Sequence, residues 1–290
     1  MNVRYISNIV LALLIIGLYY LLNKPVVEPL VNKSVSTLTA NMINSIVINR
    51  HGRDEVQLEK EHDHWQVKQP IPAPANAIRI KLILDLLSSA PQSQFTVTDK
   101  MDLQEFGLEP AAITLQLNQQ QFKFGKIESL SKHRYLQHNG IIYLVDDKLM
   151  PLLNASAASF IDNQIIAKNL KITQIQLPSN SKISDPSPII IKTENGHWVS
   201  NRESIPTDTL VALIDAWQHS YALQVIPLTK QERLMLTGEK IIIHFNNQTA
   251  LELLLQFNQH NFSLIDLDKQ LKYQFPISIK QQLFINKATD

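Results

Sequence analysis

The chain has 290 residues, with 27 Lys and Arg against 26 Asp and Glu, so its formal net charge is +1. This even balance disfavours nucleic-acid binding, because phosphate contacts need clustered basic residues and no basic stripe occurs along the chain. The lack of cysteine excludes disulfides, thiolate nucleophiles and cysteine-ligated metals. The seven glycines are isolated from one another, which disfavours a loop that cradles a nucleotide phosphate.

The first two dozen residues predict a membrane anchor. Residues 6–22 form an almost unbroken apolar run between Arg4 and the segment Asn23-Lys24-Pro25. At about 1.5 Å per residue this run makes roughly 25 Å of helix, close to the thinner end of a bilayer core. We therefore predict a cytoplasmic tail and a transmembrane helix over residues 1–24. The alternative is a cleaved secretory signal, but no A-x-A pattern of small residues follows the run.

The orientation follows from the length of the two flanking parts. A short tail ahead of a long domain usually stays inside, and long domains cross largely regardless of their charge. We therefore expect a single-pass protein whose C-terminal part lies outside the cytoplasm; in a bacterium this means the inner membrane, with that part in the periplasm. Residues 25–39 contain Pro25, Pro29 and several Ser, Thr and Asn residues, a composition that predicts a stalk.

From residue 40 onward the sequence repeats itself. The matching segments are His64-Trp65 with His197-Trp198, 82–87 with 212–217, and Ile113–Asn118 with Ile241–Asn246. A period of about 130 residues is longer than a solenoid repeat and indicates a duplicated domain. We predict two tandem units, residues 40–166 and 167–290.

Each unit combines strand and helix patterns. Residues 56–58 and 65–67 alternate apolar and polar side chains, as half-buried strands do, whereas residues 76–89 show helical spacing. Asn139-Gly140 and Asn195-Gly196 each separate two apolar segments, a strong hairpin signal. The predicted fold class is α+β: an N-terminal transmembrane helix, followed by two tandem repeats of an antiparallel sheet with a packed helix.

Several short motifs of the first unit occur in a recognisable order. They are Trp65-Gln66-Val67, Ala75-Asn76, Phe106-Gly107-Leu108-Glu109-Pro110, Phe124-Gly125, Arg134-Tyr135 and Ile142-Tyr143-Leu144-Val145. This order resembles DUF4340, a bacterial domain of unknown function. The family usually has Tyr-Gly-Leu where this chain has Phe106-Gly107-Leu108, and Ala-Asp where it has Ala75-Asn76.

The resemblance implies a single-pass, membrane-anchored, extracytoplasmic protein with repeated α+β units. It also implies an integral membrane partner, because some members are encoded near ABC-type transporter components linked to gliding motility. No catalytic residue and no cofactor come with the family.

His62 and His64 are the candidate metal ligands. Side chains at positions i and i+2 of a strand point to the same side, so two imidazoles can converge on one ion. The alternative is a solvated hairpin turn, and the second unit keeps only His197 of this pattern. The sequence therefore favours the turn over the metal site.

The carboxylates and the tryptophans are further candidate site residues. The acidic groups Asp99, Asp102, Glu105 and Glu59, Glu61, Asp63 provide pairs for acid–base catalysis, but they lie in polar segments, and Asp102 suits a helix cap. Trp65, Trp198 and Trp217 suit either sugar stacking or core packing. Asp85 and Asp215 recur at one position of the predicted helices and are interpreted as structural.

The sequence thus favours a non-enzymatic function without a cofactor. We expect an accessory or scaffold subunit of an envelope or transporter-type membrane complex. The alternatives are a periplasmic module that binds a glycan, lipid or peptide, and, less favoured, an envelope hydrolase.

Overall fold

The computed structural model describes residues 11–19, 34–179, 187–202 and 205–285, and its strands form two antiparallel sheets. The strands of the first sheet are β1 (Ser45–Arg50), β2 (Val56–Glu61), β3 (His64–Gln69), β4 (Ala73–Pro74), β5 (Ser93–Thr96), β6 (Ile113–Leu117), β7 (Gln120–Ile127), β8 (Arg134–His138) and β9 (Ile141–Val145). The strands of the second sheet are β10 (Ile172–Gln176), β11 (Ile189–Lys192), β12 (Trp198–Ser200), β13 (Gln224–Pro227), β14 (Glu239–Phe245), β15 (Ala250–Phe257), β16 (Asn261–Asp266) and β17 (Leu271–Pro276).

The helices are few and mostly short. They are α1, described over residues 11–19, then α2 (Ala77–Leu84), α3 (Met150–Leu153), α4 (Thr207–His219), α5 (Lys230–Leu234) and α6 (Lys280–Leu283), with 3-10 turns at Ala40–Met42, Asp85–Ser88, Ala157–Phe160 and Ile277–Ile279. In the part of the chain that the structure describes, no helix is long and apolar enough to cross a membrane. Residues 6–10 and 20–22 of the predicted anchor lie outside the described residues.

The two sheets share one strand order. The first runs β4-β3-β2-β1-β6-β7-β8-β9-β5, and the second runs β12-β11-β10-β14-β15-β16-β17-β13. Apart from the edge strand β4, each sheet has a three-stranded meander, β3-β2-β1 or β12-β11-β10, beside a four-stranded one, β6-β7-β8-β9 or β14-β15-β16-β17. The last strand of each sheet, β5 or β13, is the one that follows the main helix of that half. All pairs are antiparallel. This architecture is α+β, and its equal order in both halves is what a duplicated unit produces. The domain boundaries stay a prediction.

The alternating sequence pattern explains the strands. In β6 the side chains of Ile113, Leu115 and Leu117 are buried, whereas the side chains between them are less so. The turn Asn139-Gly140 has φ angles of 46° and 72°, the left-handed values that a tight two-residue hairpin requires. The predicted hairpins at this turn and at Gly196 are confirmed, since β8 pairs with β9 and β11 pairs with β12.

Two asparagines at matched sequence positions make the same contact. The side-chain oxygen of Asn118 accepts a hydrogen bond from the backbone N–H of Ser45, 3.1 Å away, where the first sheet begins. The side-chain oxygen of Asn246 accepts one from the N–H of Lys171, 3.0 Å away, where the second sheet begins. Each asparagine therefore holds the first strand of its half against the end of a hairpin.

The helices α2 and α4 also correspond. Ile80 and Ile83 of α2 are buried, and so are Leu210 and Leu213 at the matched positions of α4. Asn76 begins α2 as its N-cap, because its side-chain oxygen accepts a hydrogen bond from the Arg79 N–H at 3.1 Å. An aspartate serves equally well at this position, which accounts for the Ala-Asp pattern of the resembled family.

The apolar core is continuous between the two sheets. The connecting segment bonds to both halves beside their main helices: the Phe160 carbonyl accepts from the N–H of Asn76, the N-cap of α2, at 2.7 Å, and the Asn163 carbonyl accepts from the N–H of Ala222, between α4 and β13, at 2.8 Å. Residues 34–39 of the predicted stalk lie against the first sheet, where Val35 is buried and its N–H donates to the Ser89 carbonyl. This part of the segment is therefore held by the fold rather than free of it.

Candidate functional site

The candidate metal ligands lie at the tip of the β2–β3 hairpin. His62 and Asp63 form the turn, with φ angles of 45° and 67°, and His64 is the first residue of β3. Because His62 is in the turn, the two histidines do not occupy alternate positions of one strand. In the described residues no group of three or more His, Asp or Glu side chains is placed to hold a metal ion.

The candidate carboxylates are on the surface. Glu61 pairs with Lys68, and Asp63 pairs with Lys60 at 3.1 Å. Asp102 accepts a hydrogen bond from the Gln104 N–H at 2.9 Å. The predicted helix cap at Asp102 is wrong, because the residues that follow it form a turn and not a helix. The residue is explained by the tendency of aspartate to bond the backbone two positions later.

Two carboxylates with strongly lowered pKa values, Glu128 and Glu232, stabilise local structure by accepting hydrogen bonds. Hydrogen bonds from the Ser131 hydroxyl and from the backbone N–H groups of Ser131 and Leu130 lower the pKa of Glu128 to about 2. A hydrogen bond from Lys272, with others from Thr229, lowers the pKa of Glu232 to about 2. Both groups are ionised near neutral pH, so neither suits the role of a general acid.

The three tryptophans take different positions in the fold. Trp217 is 1% exposed, and its Nε1 donates to the Leu283 carbonyl at 2.7 Å. Trp65 and Trp198 are partly buried against the apolar core. Sugar stacking needs an accessible ring face, so Trp217 is unsuited to it, and all three rings contribute to packing.

Three of the motifs that carry the family resemblance, Phe106-Gly107-Leu108, Phe124-Gly125 and Arg134-Tyr135, meet at one place. The Phe106 ring packs edge-on against Tyr135, with centroids 5.0 Å apart, and the Phe106 carbonyl accepts from the Lys126 N–H at 2.9 Å. A Cβ on Gly125 would overlap the Phe106 carbonyl oxygen and lie 3.1 Å from the Leu108 Cδ2. Glycine is therefore required where the 106–108 loop crosses β7.

An arginine completes this cluster. Arg134 binds both carboxylate oxygens of Asp147, at 2.6 and 2.9 Å, and its Nη1 donates to the Gly125 carbonyl. This is the bidentate geometry that favours arginine over lysine. The motifs thus hold the 106–108 loop on β7 and β8, and their function here is structural.

The outer face of α2 carries exposed apolar side chains. Ile78 is 73% exposed and Leu82 is 50% exposed, and their spacing of four residues places them one turn apart on the same side. Beside them Lys81 pairs with Asp85 at 3.1 Å. We call Ile78 and Leu82 the α2 apolar face. Both residues belong to the helical apolar spacing of residues 76–89, and the structure places them on the solvent side of the helix.

The matched helix shows what a solvated outer face looks like in this fold. At the positions of α4 that correspond to Ile78 and Leu82, the sequence has Asp208 and Ala212. Val211 of α4 is 48% exposed, and Asp215 pairs with His219 at 3.1 Å. The two helices bury the same positions but differ outside, which indicates that the α2 apolar face is not a requirement of the fold. We therefore take it as the candidate site.

Comparison with known proteins identifies a family model. The model of DUF4340, a domain of unknown function, matches residues 65–219. The match begins in β3 and ends with α4, so it contains the α2 apolar face and the cluster around Gly125. No curated protein and no solved structure matches the chain.

Proposed function

Because the chain belongs to the DUF4340 family, whose function is unknown, we propose that it is a non-catalytic accessory or scaffold subunit of an envelope membrane complex. In this proposal the N-terminal apolar segment holds the chain at the bacterial inner membrane. The sheets lie in the periplasm, and the α2 apolar face binds an integral membrane partner of the ABC-transporter type.

The observation that carries the proposal is the α2 apolar face. Two large aliphatic side chains one turn apart are the anchors with which a helix packs into an apolar groove. Full burial of such a side chain contributes about 1.5 to 3 kcal/mol. The matched positions of α4 carry Asp208 and Ala212, so the fold does not require large apolar side chains at these positions.

The membrane placement is supported by the N-terminal segment. Residues 11–19 are helical and consist of Leu, Ala, Ile, Gly and Tyr. Their side chains are exposed to the surroundings of the protein rather than packed on the sheets. An apolar helix whose described side chains do not pack on the rest of the chain is suited to a lipid environment.

A double variant of the α2 apolar face tests the proposal. We expect Ile78→Glu with Leu82→Lys to weaken partner binding roughly 100-fold, because both anchors lose their apolar contact and gain a charge to desolvate. Co-purification from native membranes, with the retained proteins identified by mass spectrometry, measures this. An integral membrane protein should accompany the wild-type chain and be lost from the variant.

The matched control places the same charges on the other helix. Val211→Glu with Ala212→Lys alters exposed positions of α4 and should retain the partner. The free energies of unfolding of both double variants, measured in urea, should lie within about 0.5 kcal/mol of the wild-type value, as expected for surface positions. The proposal is wrong if the wild type retains no membrane protein, or if the α2 variant retains it as well as the α4 control does.

A further inference from the structure

A surface cavity of about 680 Å³, open to solvent, lies at one end of the first sheet. It lies between the β1–β2 turn and the segment that follows α3. Its walls are formed by Arg50, Gly52, Arg53, Asp54, Ser156 and Ala157. A volume of this size is in the range of pockets that bind small organic ligands.

Arg50 is a buried positive charge in the wall of this cavity. It is 8% exposed, its Nη2 donates to the Asp54 carbonyl at 2.7 Å, and its Nη1 donates to the Ala155 carbonyl. These acceptors, and the Leu153 carbonyl 3.5 Å from Nη1, are neutral backbone groups. The Nε is buried without a hydrogen-bond partner. Burying a charge without a directly paired carboxylate is costly. Asp54 acts on Arg50 as a nearby charge and not as an ion pair, so the charge of Arg50 is only partly compensated within the described residues.

A second guanidinium shares the cavity. Arg53 is exposed, and its Nη1 donates to the Asn154 carbonyl at 2.5 Å. Burial lowers the pKa of Arg50, the charge of Arg53 lowers it further, and Asp54 opposes both. The cavity therefore has two positive charges and one negative charge, and the repulsion between the arginines would be relieved by an anion.

Gly52 and Ser156, which also line the cavity, leave room for an anion and offer it a hydrogen bond. Gly52 has a φ of +69°, and no atom lies within 4 Å of the place where a Cβ would stand. A ligand can therefore come close to the backbone of the turn. Ser156 is exposed and provides a hydroxyl. Hydroxyls and backbone N–H groups complement arginine in binding oxyanions.

We propose that this cavity binds a small organic anion through a phosphate or carboxylate group placed between Arg50 and Arg53. The competing explanation is that both arginines only satisfy the free carbonyls that follow α3, as basic residues do at helix C-termini. The two explanations differ in their response to added anions, since capping alone requires none.

Titration of the full chain, held in detergent, with two anions tests this proposal. The probes are inorganic phosphate and citrate, each compared with chloride at equal ionic strength, and the readout is ¹⁵N-glycine NMR. The chain has seven glycines, so few signals appear, and Gly52→Asn identifies the signal of Gly52. We expect the Gly52 amide to shift saturably with one of the two anions, while Gly140 and Gly196, which lie in other turns, do not shift.

Arg53→Gln provides the decisive variant, because the side chain is exposed and its loss leaves the buried Arg50 in place. It should raise the dissociation constant of the anion at least tenfold. Arg233→Gln, which replaces an exposed arginine of the second half, should change this constant less than twofold. Phosphate binding identifies a phosphate ligand and citrate binding a carboxylate ligand. The proposal is overturned if neither anion shifts Gly52 more than chloride does, or if Arg53→Gln binds as tightly as the wild type.

Discussion

Gly125→Ala is expected to destabilise the protein by roughly 3 kcal/mol, as overpacking and lost hydrogen bonds do when they act together. The new methyl group would overlap the Phe106 carbonyl oxygen and press on Leu108. Either the 106–108 loop or β7 must move, so the hydrogen bond from Lys126 to Phe106 and the packing of Phe106 on Tyr135 are lost. Urea unfolding, followed by circular dichroism, measures the loss.

Gly140→Ala is the control for this variant. Gly140 has a φ of +72° with no atom near the position of a Cβ, so alanine there costs only backbone strain, about 1 kcal/mol. The difference between the two variants isolates the steric overlap. If Gly125→Ala is no less stable than Gly140→Ala, the cluster formed by the family motifs does not hold the loop as described.

Trp217→Ala is expected to cost about 4 kcal/mol, the middle of the range for removing a large buried aromatic side chain. The ring of Trp217 contacts Phe284 edge-on, with centroids 6.0 Å apart, and its Nε1 bonds the Leu283 carbonyl. Phe284 in turn packs on Phe262, at 5.6 Å between centroids. Trp217 therefore connects α4 to the C-terminal segment and to the second sheet. The expected fall in Tm is on the order of 10 °C.

Two further tryptophan variants make this prediction specific. Trp217→Phe keeps most of the apolar volume and loses the hydrogen bond, so we expect it to cost roughly 1 to 2 kcal/mol. Trp198→Ala removes a partly buried ring from a short strand at the edge of the sheet and should cost less than Trp217→Ala. Equal losses for the two alanine variants would contradict the central position assigned to Trp217.

The hairpins and helices were predictable because their signals are local. Asn139-Gly140 specifies its turn through backbone conformation, and Asn76 specifies the beginning of α2 through one side-chain hydrogen bond. The match of Asn118 with Asn246 was visible in the sequence, although the contact that both make was not. It depends on a strand that lies more than 70 residues away in the chain.

The α2 apolar face and the cavity at Arg50 depend on tertiary contacts, so local sequence patterns do not predict them. Ile78 and Leu82 have the same apolar character as the buried Ile80 and Ile83, so the sequence pattern does not separate the two faces of α2. Comparison with Asp208 and Ala212 of the second unit is the signal that identifies the exposed face. The cavity joins Arg50 to Ser156, and no local pattern links residues so far apart.

The proposed function depends most on the permanent attachment of residues 6–22 to a membrane. Alkaline carbonate extraction of native membranes tests this directly. We expect the wild-type chain, with its N-terminal segment intact by mass spectrometry, to remain in the pellet. Leu14→Arg with Ile15→Asp should release it, because two central charges cost roughly 6 kcal/mol of insertion free energy. Leu130→Arg, in an exposed loop, should stay in the pellet. A wild-type chain that is found in the supernatant, or that begins after residue 24, would contradict the proposal.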